Sequence, residues 1–166
     1  MLTDMLKQSG RIPEHNHGGR QQAGAEAHLL AAIDYFANQQ SYRLIAVKFG
    51  LTESMIHKAV RRITSWLISL AKIFIRWPSI ERQNEFATEF AKKGGIGGVI
   101  GAIDGSHINI SAPVQNAEDY VNRKSRHSLN LQAVVDPDML FIDVYCGKPG
   151  SLHDARVLRK SPLSLQ

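Results

Sequence analysis

Cysteine is nearly absent from this sequence of 166 residues, which carries a single one, Cys146. One cysteine excludes an internal disulfide and is typical of proteins in reducing compartments. No run of about 18 apolar residues occurs, so we expect no membrane-spanning helix and no membrane partner. The first twenty residues also lack the apolar segment of a secretory signal peptide. The hydrophobic fraction of 43% is nevertheless that of an ordinary globular protein with a core.

Acidic residues are scarce in the first part of the chain. Residues 1–95 contain thirteen Lys and Arg against eight Asp and Glu, whereas residues 96–166 contain seven of each. The imbalance is steepest over residues 41–77, where seven basic residues accompany one acid, Glu53. This clustering predicts that the first half of the chain binds a polyanion.

The sequence pattern divides the chain into three regions. Residues 1–22 are polar and rich in glycine, histidine and glutamine, and we predict a flexible tail there. Over residues 23–93 apolar residues recur every three or four positions, which predicts a helical region. After the GGIGG segment at 94–98 the period changes to that of strands, so a mixed region spans 99–166. The predicted fold class is therefore α+β.

Two helices joined by a tight turn are predicted around Gly50. Ser41 and Thr52 are placed to cap the two helices, and glycine suits the left-handed residue that ends many helices. A basic second helix after such a turn is typical of a helix-turn-helix. A solvated surface helix is the alternative, but the acids that would alternate with its bases are nearly absent. The candidate DNA-binding residues are Lys48, Ser54, His57, Lys58, Arg61 and Arg62.

One acid follows an apolar run in the segment GAIDGSHINIS, residues 101–111. We predict strands over 99–103 and 108–111, which places Asp104 at a strand end. Asp-Gly is common in hairpin turns, so Asp104 is interpreted either as a turn residue or as a metal ligand. The second interpretation rests on the preference of divalent cations for carboxylate oxygens.

Two further strands and a final helix are predicted in the second half. The strands cover 129–135 and 140–145 and are joined by a turn at Asp136 to Asp138, and the helix covers 152–160. The acids of the turn, and Asp143 within the second of these strands, are interpreted as structural.

Five segments together resemble the PIF/Harbinger transposases and the host nucleases derived from them. They read SYRLIAVKFGLTESMIHKAVRRI, RWPS, GVIGAIDGSHI, YVNRKSRHSLNLQAVVD and GKPGSLHDARVL. The resemblance runs from about Ala23 to the last residue, and the segments around Asp104 and Asp154 are its most specific part.

The resemblance implies a helix-turn-helix region over 23–93, followed by the first part of an RNase H-like nuclease core over 99–166. It further implies that Asp104 and Asp154 are catalytic and bind a divalent metal, Mg²⁺ or Mn²⁺. The implied partner is DNA, and the implied location is the nucleus, with the cytoplasm as the alternative. Metal-dependent cleavage and strand transfer of phosphodiester bonds is the implied chemistry.

The family pattern continues beyond what this sequence contains. A strand ending in a GDSGY-like motif and a helix carrying a final Glu are both absent, as expected of a truncated or decayed copy with an incomplete acidic cluster. A non-catalytic DNA-binding or adaptor protein derived from a transposase therefore remains an alternative. A second alternative is a helical module whose basic face binds an acidic protein partner, and a homo-oligomer is also open.

Overall fold

The computed structural model of the chain describes residues 2–12 and 23–165. The chain forms two compact units, Met1–Lys72 and Ile73–Gln166. Helices alone form the first unit, and the second combines helices with a sheet, which confirms the α+β class. Within the described ranges, no helix is both long and apolar enough to cross a membrane.

Four helices with a shared apolar core form the first unit. They are α1 (Leu2–Gln8), α2 (Ala25–Asn38), α3 (Tyr42–Phe49) and α4 (Glu53–Phe74). Leu6 of α1 is fully buried in this core. The prediction of a flexible tail is therefore wrong for residues 2–12, because burial of Leu6 ties α1 to the core. Residues 13–22 of the predicted tail lie outside the described residues.

The turn between α3 and α4 forms as its sequence predicts. The Ser41 hydroxyl accepts a hydrogen bond from the N–H of Leu44 at 3.4 Å, and Thr52 accepts one from Met55 at 3.2 Å. Gly50 adopts the left-handed conformation, with φ of 63°. Both helices are therefore capped by local interactions that the sequence encodes directly.

The second unit contains a three-stranded antiparallel sheet accompanied by helices. Its elements are α5 (Ile80–Gly94), β1 (Ala102–Asn109), β2 (Ser128–Val135), β3 (Phe141–Pro149) and α6 (Asp154–Lys160). β2 lies between β1 and β3 and pairs antiparallel with both. This order of strands followed by a helix is consistent with the first part of an RNase H-like core.

Helix α5 packs on the sheet rather than extending the helical region. Phe86 is buried together with Val134 and Ile142 of β2 and β3. The predicted boundary near residue 93 therefore differs from the observed boundary between Lys72 and Ile73. Ile80, which its spacing places on the inner face, is instead 72% exposed.

Strand β1 differs from its prediction. A single strand, Ala102–Asn109, replaces the two predicted strands, and Asp104 lies inside it in register with Ala133. The interpretation of Asp104 as a turn residue is therefore wrong. The predicted turn at Asp136 does form, because its Oδ1 accepts hydrogen bonds from the N–H groups of Asp138 and Leu140, both at 2.9 Å.

Strand β2 buries its polar residues. Ser128, Asn130 and Gln132 alternate along the strand and are all at least 96% buried, while the apolar residues between them are only half-buried. This is the reverse of the usual alternation, in which the apolar face of a strand is the buried one. Buried polar side chains in folded proteins are nearly always hydrogen-bonded. Each of these three side chains is therefore expected to have a hydrogen-bond partner.

Candidate functional site

A cavity of about 240 Å³ is lined by residues of β1, β2 and α6. Both acids predicted as metal ligands, Asp104 and Asp154, line it, together with the polar residues Asn130 and Gln132. The acids are fifty positions apart in the sequence, and the fold of the second unit brings them to one site. None of the three acids interpreted as structural lines this cavity.

The carboxylate of Asp154 lies directly over the backbone of Gly105. A Cβ atom at position 105 would lie 2.7 Å from Asp154 Oδ1 and 2.9 Å from its Cγ. Contacts shorter than 3.0 Å are essentially never made by real Cβ atoms. The glycine after Asp104 therefore provides the space that the second carboxylate occupies.

Asp104 presents its carboxylate from the edge of the sheet. Its Oδ1 accepts a hydrogen bond from the N–H of Gly105 at 2.8 Å, and the side chain is exposed. An exposed carboxylate keeps its hydration, so Asp104 is tolerated inside a strand without a buried cationic partner.

Asn130 fixes the segment that leads into α6. Its Nδ2 donates hydrogen bonds to the carbonyl oxygens of Pro149 and Leu152, both at 2.9 Å, and the residue is 3% exposed. Asp154 is the first residue of α6, two positions after Leu152. Asn130 is therefore a positioning residue for Asp154.

A second polar cluster surrounds Ser128 at the start of β2. Ser128 is fully buried, and its hydroxyl accepts a hydrogen bond from Asn122 Nδ2 at 3.0 Å. His107 Nδ1 lies 3.1 Å from the same hydroxyl. The ring of His107 is therefore hydrogen-bonded to Ser128.

The carboxylate oxygens in the cavity are the kind of ligand that divalent metals such as Mg²⁺ prefer. Mg²⁺ and Mn²⁺ prefer oxygen ligands, and Mg²⁺ is often held by one or two carboxylates with water completing its shell. Asp104 and Asp154 offer two such carboxylates. Across the ranges that the structure describes, no group of three or more His, Cys, Asp or Glu residues is arranged to hold a metal.

The predicted DNA-binding face of α4 is available at the surface of the first unit. Ser54, His57, Lys58 and Arg61 are exposed, and Arg62 is half-buried. The His57 ring packs edge-on against the ring of Tyr42 in α3, with centroids 5.7 Å apart.

Arg11 joins the basic end of this face, which sequence reasoning missed because it assigned that residue to the tail. Arg11, Arg61, Arg62 and Ser65 line one open groove of about 330 Å³. The Arg11 guanidinium donates a hydrogen bond to the Ser65 hydroxyl at 3.3 Å. Three guanidinium groups around one groove favour an anionic ligand.

Lys48 is engaged within the helical unit. Its ammonium donates a hydrogen bond to Asp34 Oδ1 at 2.8 Å, and Asp34 is 9% exposed. This hydrogen bond, opposed by burial of the carboxyl, holds the pKa of Asp34 below its ordinary value. Lys48 therefore links α3 to α2, and its predicted contact with DNA, which would compete with this ion pair, stays a prediction.

Comparisons with known proteins find similarity over most of the chain. Residues 103–166 match the family model described as DDE superfamily endonuclease. The protein named "Putative nuclease HARBI1" from Rattus norvegicus is 37% identical over 144 residues, which cover 85% of this chain and 41% of the rat protein. The chain is therefore similar to transposase-derived nucleases over most of its length, and to DDE superfamily endonucleases over residues 103–166. No solved structure gives a significant match.

Further relatives match over similar lengths. The Homo sapiens "Putative nuclease HARBI1" is 36% identical over 85% of this chain and 41% of its own length. "Protein ALP1-like" from Arabidopsis thaliana is 33% identical over 80% of this chain and 33% of its own length. The chain thus spans less than half the length of these relatives.

Proposed function

We propose that this chain supplies the DNA-binding helices and part of the metal-binding core of a nuclease that cleaves phosphodiester bonds in DNA, in the nucleus. The observation that carries the proposal is that Asp104 and Asp154 line one cavity, with the Asp154 carboxylate lying over Gly105. The match of residues 103–166 to DDE superfamily endonucleases supports it. Enzymes of that superfamily are generally dependent on divalent metals, so Mg²⁺ or Mn²⁺ is the proposed cofactor.

The residues that line the cavity have different roles in the proposed metal site. Asp104 and Asp154 would hold the metal, and Asn130 keeps Asp154 in place through the two carbonyl groups that it binds. When bound, a divalent metal supplies activation of a water or 3′-hydroxyl and stabilises the leaving oxygen of the phosphodiester.

Titration of Mn²⁺ into the full chain tests the metal site. We expect weak binding, because two carboxylates leave most coordination positions to water. Asp104→Asn and Asp154→Asn should each weaken that binding by at least about tenfold, which is about 1.4 kcal/mol. Asp143→Asn is the matched control, since Asp143 lies on β3 and does not line the cavity. Equal Mn²⁺ affinity in the wild type and both cavity variants would contradict the proposed site.

The exposed face of α4 is the proposed contact with DNA. Ser54, His57 and Lys58 lie in its first two turns, where a recognition helix meets base edges, and Arg61 and Arg62 follow where phosphates are contacted. Arg11 lines the same groove as these two arginines and extends the basic surface.

The salt dependence of DNA binding tests this face. Two phosphate contacts from α4, made by Arg61 and Arg62, predict a slope of log affinity against log salt of about −1.8 for duplex DNA. Arg61→Ala should reduce the magnitude of the slope by about 0.9. Lys92→Ala removes an equal charge from an exposed position on α5 and should leave the slope unchanged. Absence of DNA binding, or equal slopes in wild type and Arg61→Ala, would favour binding of an acidic protein partner instead.

A non-catalytic DNA-binding or adaptor role is the second candidate. It requires only the exposed basic face of α4 in the first unit. Retained DNA binding without any Mn²⁺ binding would select this role. A protein partner or a second copy of the chain is compatible with either function.

A further inference from the structure

Gln132 is a buried donor without an acceptor. The residue is 4% exposed, and its Nε2 finds no hydrogen-bond partner among the described residues. Buried polar groups in folded proteins are nearly always paired, because an unpaired donor forfeits its hydration without compensation. Gln132 is an exception, and it lines the same cavity as Asp104 and Asp154. Its unpaired donor therefore indicates contact with a ligand.

The neighbouring polar residue on the same face of β2 shows the contrast. Asn130 lies two positions earlier, and its Nδ2 is saturated by the carbonyl groups of Pro149 and Leu152. Asn130 therefore has a structural explanation for its burial. Gln132 has none within the described residues, although both line the same cavity.

The strand register places Gln132 beside Asp154. Gln132 pairs directly with Gly105, and directly paired residues of antiparallel strands share one face of the sheet. The space above Gly105 is filled by the Asp154 carboxylate. The amide of Gln132 thus lines the cavity next to the position where the proposed metal would be held.

The chemistry of the cavity selects an anionic ligand for this amide. Two carboxylates repel a phosphate, so a phosphate group is drawn there only by a bound cation and by neutral donors. A primary amide supplies such a donor without adding charge. We propose that Gln132 donates its Nε2–H to a non-bridging oxygen of the phosphate that a divalent cation draws to Asp104 and Asp154. The inference rests on the proposed metal-dependent nuclease function and assigns a substrate contact within it.

Nuclear magnetic resonance of the full chain tests this contact with thymidine 5′-monophosphate and Mg²⁺ as probes. The Gln132 side-chain amide signals, confirmed by their loss in Gln132→Met, should stay in place with the nucleotide alone and should shift further when the nucleotide is added to the Mg²⁺-loaded chain. The side-chain amide of Gln39, which is exposed at the end of α2, is the control and should not move. The backbone N–H of Gly105, which is bonded to Asp104, reports Mg²⁺ binding separately.

Affinities measured in the same titrations complete the test. Gln132→Met should bind the nucleotide about tenfold more weakly in the presence of Mg²⁺, as expected for loss of one hydrogen bond to a charged group. Its affinity for Mg²⁺ alone should be unchanged, in contrast to Asp104→Asn. A Gln132 amide that moves no further when the nucleotide is added, while the Gly105 signal reports bound Mg²⁺, would overturn the phosphate contact only. Absence of any Mg²⁺ response at Gly105 would overturn the proposed metal site and this inference together.

Discussion

Gly150→Ala is expected to destabilise the sheet-containing unit strongly. A Cβ atom at position 150 would lie 2.1 Å from the Ser128 hydroxyl oxygen, 2.8 Å from the Ser128 carbonyl oxygen and 2.9 Å from the Tyr120 carbonyl oxygen. Two of these atoms are backbone carbonyl oxygens, so a side-chain rotation cannot move them away. Gly150 also donates its N–H to the Ser128 carbonyl at 2.8 Å, so relief of the clash would break a link between β2 and the segment before α6.

The loss of unfolding free energy should reach or exceed the usual range for overpacking, about 1–3 kcal/mol. Urea unfolding followed by circular dichroism measures it. Gly97→Ala is the control, because nothing lies within 4 Å of a Cβ at that position. Equal stability of the two variants would contradict the close contact between Gly150 and Ser128.

Gly105→Ala is expected to remove metal binding while leaving the fold intact. The added methyl group meets the end of a flexible side chain, the Asp154 carboxylate, at 2.7 Å. That carboxylate can swing away at little cost to stability, but it then leaves its position over Gly105 in the cavity that Asp104 also lines. We expect Mn²⁺ affinity to fall by at least about tenfold, with the urea midpoint close to that of the wild type.

The same Gly97→Ala variant controls for the general effect of replacing a glycine. It should bind Mn²⁺ as the wild type does. Wild-type Mn²⁺ affinity in Gly105→Ala would show that the position of Asp154 over Gly105 has no part in metal binding. Global unfolding of Gly105→Ala would show instead that the glycine serves packing.

Local signals predicted the helical unit well. The caps at Ser41 and Thr52 and the left-handed Gly50 depend on residues within a few positions of one another, so the sequence specifies them directly. Helix α1 escaped prediction because its partner surface comes from distant residues. Burial of Leu6 in the core of α2 to α4 stabilises a segment whose composition alone indicates a tail.

The sheet was harder to predict because tertiary contacts override its local signals. Asp104 and Gly105 read as a turn, yet pairing with β2 keeps them in a strand, and the room above Gly105 is explained only by Asp154. The alternation of Ser128, Asn130 and Gln132 on β2 resembles a solvent-facing pattern. Only the structure shows that this polar face is the buried one and that it lines the cavity.

The site itself was predictable only through family resemblance. The resemblance pointed to Asp104 and Asp154, and the structure places both at one cavity. Asn130 and Gln132 lie in the same segment of the resemblance but carry no local signal of function. Their proposed roles follow from the hydrogen bonds of Asn130 and the burial of Gln132. Both depend on tertiary contacts, such as those between β2 and the segment before α6.

Anomalous X-ray scattering from a crystal of the full chain soaked in Mn²⁺ locates the metal directly. We expect an anomalous difference peak within coordination distance, roughly 2.0–2.6 Å, of carboxylate oxygens from both Asp104 and Asp154. An Asp104→Asn crystal soaked in parallel should show a much weaker peak or none. A strong Mn²⁺ peak elsewhere, with none between Asp104 and Asp154, would contradict the assignment of this cavity as the metal site of a nuclease.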